Sequence, residues 1–201
     1  MQFVITGTDT DVGKTVCAAM LTLGMKGLYW KPIQCGTEEG TDRQRLAEIC
    51  GEESTLPEKY IFQAPLSPHR ASELENISID VNSLTIPNVP EDTALIIEGA
   101  GGLMVPITRE FLFIDLFQTW NIPVILCART ALGTINHTLL SIEALKEWNI
   151  PIHGIIFVGD DNPDTIETIM QISGIKSLGR VPMMEEVDCE RLKKVFESLY
   201  L

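Results

Sequence analysis

Apolar residues along this chain fall into short runs, separated by longer stretches in which they recur every three or four positions. The runs are "FVIT" (3–6), "GLYWK" (27–31), "ALIIEG" (94–99), "PVILCA" (123–128), "GIIFV" (154–158) and "SLGRV" (177–181). They are β-branched and apolar on both sides, the pattern of strands covered on two faces. Helical periodicity marks Lys14 to Met25, Asp42 to Cys50, Phe113 to Trp120, Ile135 to Trp148, Asp164 to Ile172 and Glu190 to Leu199. Strand–helix alternation of this kind predicts an α/β fold: a doubly wound, mostly parallel sheet with helices on both faces and right-handed crossovers. One stretch breaks the rhythm. From Gly51 to Pro90 the chain is rich in Pro, Ser and Asn and shows no strong period. So long an irregular segment in a compact domain points to a working loop.

Composition narrows the functions. A chain of 201 residues fits one domain, 1–201, with no repeat or linker. Its net charge of −13 disfavours nucleic acid as a partner, though it leaves room for a bound nucleotide. The five cysteines are widely spaced and form no C-x-x-C, which predicts free thiols in a reducing, cytoplasmic setting. No window approaches the roughly 18 apolar residues of a membrane helix, so no membrane association is expected.

The chemistry starts after the first run, at "GTDTDVGKT" (7–15). It has the ending of a phosphate-binding loop, but Gly7 and Gly13 are separated by five residues rather than the usual four. Gly13 lets amides approach a phosphate, Lys14 reaches the outer phosphates, Thr15 offers a hydroxyl to Mg²⁺, and the helix following points its positive end at the anion. "ALIIEGAGG" places Glu98 at the carboxyl edge of a buried strand, where it suits a Mg²⁺ ligand beside such a loop. Lys31, ending "GLYWK" before Pro32, suits charge stabilisation and equally suits a solvated strand end. Asp42 follows Thr41, which with Gln44 forms a capping box, so the residues alone read it as a first-turn acid. Ser67 and His69 in "SPHR" have no acid partner in the pattern. Gly133 and Thr134 lead into a helix whose free amides could receive a carboxylate, or simply be capped.

Taken in order, "GTDTDVGKT", "KPIQCG", "SPH", "EGAGG" followed by Pro106, "LGTINHTLL" and "LGRVP" span nearly the whole chain. The set closely resembles the ATP-dependent dethiobiotin synthetase family of biotin synthesis, whose loop has the same longer spacing. The resemblance implies a P-loop NTPase-like homodimer that closes a cyclic urea on 7,8-diaminononanoate with CO₂, converting ATP to ADP and phosphate. It implies catalytic roles for Lys31, Lys14 and Thr10, and Mg²⁺ held by Thr15, Asp42 and Glu98. Nucleotide contacts would come from Asp11, Val12, Gly13, Lys14, Thr15, Val16, Asp42, Glu98, Gly99, Ala100 and Gly101. Pro182, Met183 and Met184 would lie beside the adenine. Thr10, Lys31 and Cys35 would face the diamine, and Leu132, Gly133 and Asn136 would receive its carboxylate tail across the dimer interface.

Two positions depart from the family pattern. Cys35 stands where a Ser or Thr is usual, exchanging a hydroxyl hydrogen bond for a weaker thiol. Val158 and Gly159 follow "GIIF" where an Asn usually reads the adenine, and little more than one helix fits after "LGRVP". Weaker ATP affinity or looser base choice is expected. Among rivals, a glutaminase-bearing amidating synthetase needs a second domain, and a small kinase needs an arginine-rich lid. A nucleotide-driven switch of the partitioning or iron-protein type carries an additional lysine early in its loop, absent from Gly7 to Asp11.

Overall fold

The computed structural model describes residues 1–201. Strands β1 (Gln2–Gly7) and β2 (Leu28–Trp30) flank helix α1 (Lys14–Met25), and β3 (Ile33–Cys35) precedes α2 (Asp42–Cys50). Next come β4 (Thr55–Leu56), β5 (Tyr60–Phe62), α3 (Pro68–Glu75), β6 (Leu95–Gly102) and α4 (Phe113–Trp120). The chain finishes with β7 (Val124–Arg129), α5 (Thr134–Glu147), β8 (Ile152–Val158), α6 (Pro163–Ser173), β9 (Ser177–Val181) and α7 (Cys189–Glu197). Helices α1, α2 and α4 keep the bounds read from periodicity, α5, α6 and α7 shift by a residue or two at their ends, and α3 lies outside the stretches that periodicity marks.

The sheet has seven strands in the order β4-β2-β6-β1-β7-β8-β9, every pairing parallel. Side-chain alternation splits it into two cores. Phe3 and Ile5 of β1 join Ile96, Ile125 and Ile156 beneath α1, α2 and α7. Val4 joins Ile97 and Val124 on the opposite face, under α3 and α4. Leu126, Ala128, Ile155 and Phe157 extend that second face beneath α5 and α6. Both faces are therefore dry, which is why the strands read as unbroken apolar runs.

The segment from Gly51 to Pro90 is more structured than its composition suggests. Strand β4 edges the main sheet beside β2, β5 pairs with β3 in a second small parallel sheet, and α3 opens with Pro68 at its first position. These elements are two to eight residues long, too short for a period to emerge. Buried Phe62, Ala71 and Leu84 tie them to the core. All five cysteines are free thiols. No helix is long and apolar enough to cross a membrane.

Candidate active site

From β1 the chain crosses β6 to reach β2, and later runs outward in the other direction through β7, β8 and β9. The strand order therefore reverses at β1, and the crevice beyond the carboxyl ends of such strands is where α/β sheets bind ligands. The loop after β1 sits there. Gly13 caps α1 in the left-handed region (φ 90°), and a Cβ on it would press into Val158. Asp11 also holds a positive φ, 54°, a strained setting more common at functional loops than elsewhere. The first amides of α1 point out of this loop, giving a ready anion site.

Four functional side chains meet beside it. Glu98, 1% exposed, lies in the middle of β6, one residue before its buried part ends at Gly99. Its Oε1 accepts a hydrogen bond from the Thr15 hydroxyl at 2.9 Å and lies 3.8 Å from Lys31 Nζ. Lys31 Nζ also ion-pairs with Asp42 Oδ2. Burial alone would push the Lys31 ammonium toward neutrality, but Glu98 and Asp42 more than reverse this and hold its pKa above the usual value. The Glu98 carboxyl is pushed up by burial; Lys31 opposes that and Asp42 adds to it. Lys14 folds back to donate from Nζ to the Asp9 carbonyl at 2.9 Å, with its pKa lowered, chiefly by burial. Asp42 sits in the first turn of α2, whose Thr41–Gln44 capping box is complete. Its backbone amide donates to Gln34 Oε1 at 3.3 Å, and the Gln34 amide donates to the carbonyls of Cys35 and Gly36.

A cleft of about 960 Å³ joins these groups, lined also by Thr10, Ala100, Gly101, Cys35 and Ser67. Burial pushes the Cys35 thiol up to about 12, so it is a neutral, weak donor. Ser67 shares a 3.0 Å hydrogen bond with His69 Nδ1. The donor set of Thr15, Asp42 and Glu98 is all hard oxygen. No three His, Cys, Asp or Glu side chains cluster as a protein-only metal cage. Such a set suits Mg²⁺, which keeps waters and takes phosphate oxygens alongside one or two carboxylates.

A second cleft of about 530 Å³ lies across the loop, with Asp11, Gly13 and Val16 lining both. Val12, Val158, Val181, Pro182, Met183 and Met184 give it an apolar wall. Some of its polar groups are used up within the fold, although the carboxylates of Asp11 and Asp160 also line it without a hydrogen-bond partner. Gly159 N–H donates to the Val181 carbonyl at 3.0 Å, and Arg180 donates to the Gly159 carbonyl at 2.7 Å. Asn162 donates to the Thr130 carbonyl while its side-chain oxygen caps α6.

The remaining expected residues are placed differently. Leu132 lines the second cleft and is fully exposed, whereas Gly133 and Asn136 line neither cleft and sit at the open N-terminus of α5. Gly99 also lines neither; a Cβ there would press into Phe117, so its smallness serves packing. Three residues escape motif reading. Tyr29 donates from its hydroxyl to Glu98 Oε2 at 2.8 Å, Gln34 holds Asp42, and Arg129 donates to the Thr10 carbonyl at 2.8 Å. Tyr29 had a signal: it sits two residues before Lys31, hence on the same strand face. Arg129, a lone charge ending an apolar strand, had a weaker one.

A family model described as an AAA domain matches residues 1–191. Among solved structures, a ParA family ATPase from Chlorobium tepidum superposes with a TM-score of 0.53 at 14% identity, over 98% of this chain and 97% of that one. A putative plasmid partition protein from Borrelia burgdorferi bound to AMPPNP gives 0.53 at 14%, over 98% of both chains. At such identity the likeness is of fold alone, and it makes this a P-loop NTPase-like sheet. Sequence relatives are far nearer. The ATP-dependent dethiobiotin synthetase BioD of Brucella anthropi is 49% identical over 98% of this chain and 92% of its own length. Those of Afipia carboxidovorans and Agrobacterium fabrum are each 50% identical, covering 97% and 98% of this chain and 93% and 92% of theirs. On this identity and coverage, the chain belongs to the ATP-dependent dethiobiotin synthetase family.

Proposed function

We propose that the chain, as one catalytic unit, is an ATP-dependent cyclo-ligase that makes dethiobiotin from 7,8-diaminononanoate, CO₂ and ATP. The observation that carries this reading is the convergence of Lys14, Thr15, Lys31, Asp42 and Glu98 on one cleft at the phosphate loop. One substrate amine attacks the carbon of CO₂ and loses a proton, giving a carbamate. A carbamate resists attack because oxide is a hopeless leaving group. Its oxygen therefore takes the γ-phosphoryl of ATP as ADP leaves, and the second amine then attacks the mixed anhydride, closing the urea and expelling phosphate.

The protein's share is positioning and charge. Lys31, kept an ammonium by Asp42 and Glu98, faces the carbamate and the transferring group. The α1 amides and Lys14 cradle the outer phosphates, and Thr10 and Cys35 line the diamine side of the same cleft. Thr15, Asp42 and Glu98 would hold Mg²⁺, which when bound offsets negative charge on the phosphates. The apolar second cleft suits the nucleobase, packed on Pro182, Met183 and Met184. The open α5 N-terminus, with Leu132, Gly133 and Asn136, fits a receptor for the diamine's carboxylate in a neighbouring subunit of a cytoplasmic homodimer.

The test mixes protein, diaminononanoate, bicarbonate, Mg²⁺ and ATP and follows phosphate. Release that requires the diamine, with dethiobiotin formed in equal amount, is the expected result. Release indifferent to the diamine would instead favour a nucleotide switch.

A further inference from the structure

Strand β2 carries Tyr29 and, just past its end, Lys31, alternate positions on one face. Tyr29 pairs in register with Ile96 of the neighbouring β6, so Glu98 stands two residues on along that shared face, within reach of both. Each oxygen of the Glu98 carboxyl thereby has its own environment. Oε2 accepts from the Tyr29 hydroxyl at 2.8 Å inside the core, where Tyr29 is fully buried. Oε1 turns to the cleft, toward Thr15 and Lys31.

We propose that Tyr29 is a positioning residue for the reaction: its hydroxyl clamps Glu98 Oε2 so that Oε1 is presented to the cleft as a metal ligand. The proposal rests on the reading of Glu98 as a Mg²⁺ ligand. A phenylalanine would fill the same volume among the apolar neighbours of Tyr29, which include Ile96, Met20 and Leu46. What the hydroxyl adds is its one hydrogen bond, to Glu98. A carboxylate this deeply buried with one oxygen unpartnered pays a desolvation penalty and is driven to rotate toward another donor. Rotation removes the fixed Oε1 from the cleft. Groups that hydrogen-bond a ligating carboxylate typically change metal affinity by 10- to 100-fold when removed. Asp42, by contrast, lies nearer the cleft mouth, and its side chain takes its orientation from Lys31.

The experiment uses Tyr29→Phe and measures binding of a fluorescent ADP derivative at increasing Mg²⁺, a readout that needs no turnover. The Mg²⁺ concentration for half-maximal tightening should rise about tenfold. Binding without Mg²⁺ should stay within about twofold, because Tyr29 acts through the metal ligand alone. In a Glu98→Gln background the same change should add nothing further, since its target is gone. If Glu98→Gln raises the Mg²⁺ requirement and Tyr29→Phe does not, the positioning role is wrong and the metal site stands. If the two changes add independently, Tyr29 acts elsewhere and the proposal also fails. Should Glu98→Gln itself leave Mg²⁺ dependence untouched, the metal reading falls first and this inference falls with it.

Discussion

The two clefts flanking the phosphate loop are built on opposite principles. On the β2–β6 side, ionisable groups from separate parts of the fold converge: Lys14 from α1, Lys31 just past β2, Asp42 from α2 and Glu98 from β6. They are mostly buried; Lys31 is held between Asp42 and Glu98, and Lys14 by the Asp9 carbonyl. On the β8–β9 side the wall is valine, proline and methionine, and the backbone polar groups of Gly159 and the side chain of Asn162 are taken up within the fold. The first cleft is organised by charge and can tell where charge develops in a reaction. The second is organised mainly by shape.

The largest expected effect tests the charged side. Lys31→Ala should lower turnover on the order of 10³-fold, the scale of losing one group that meets developing charge. ATP affinity should move by less than about threefold, since the phosphates keep the loop amides and Lys14. Parallel losses in rate and ATP affinity would make Lys31 a ground-state binding residue and blur the contrast.

The next tests the apolar side. A pocket that cannot pair with a base's hydrogen-bonding edge discriminates by about 100-fold at most, whereas one built to pair reaches 10⁴ or more. We expect kcat/KM for ATP to exceed that for GTP and for CTP by less than about 100-fold. A preference near 10⁴ would reveal an edge-reading group and erase the distinction between the clefts.

A third concerns the exit of β8 at the second cleft. Gly159 has φ 134°, and a Cβ there would overlap the Thr130 hydroxyl. Gly159→Ala should destabilise the fold by about 1–3 kcal/mol, the cost of a side chain in that backbone region, as urea unfolding would measure. Stability unchanged within error would mean that the β8 exit yields easily and is not a fixed wall.

The same contrast explains what was legible in the sequence. The sheet could be read because its strands are covered on both faces, which leaves continuous apolar runs between helical periods. The charged cleft could be read because Lys14 and Thr15 open α1 behind a glycine loop, while Lys31 just past β2 and Glu98 within β6 are lone charges following apolar runs. Asp42 was harder: its capping-box context accounts for it locally, and only the Lys31 ion pair draws it into the site. Tyr29 was harder because an aromatic residue in an apolar strand looks like core; its spacing from Lys31 hints at a shared face, but its bond to Glu98 depends on the register between β2 and β6. The 51–90 region was hidden by the brevity of its elements. In the second cleft, what counts is which backbone groups are already hydrogen-bonded, and that is set by packing between distant strands.

The smallest expected effect falls on the residue that looks most like a base contact. Met183 lines the second cleft yet is 73% exposed. Burying apolar area is worth about 25 cal/mol per Å², and a side chain that stays mostly in water offers little of it to a ligand. Met183→Ala should therefore weaken ADP binding only about two- to threefold, measured by calorimetry without substrate. A groove formed mainly by backbone and by the Val158 and Val181 side chains would tolerate that loss. A drop beyond about 30-fold would mean that the side chain folds over the bound ring, and the second cleft would then close on its ligand rather than act as a passive slot.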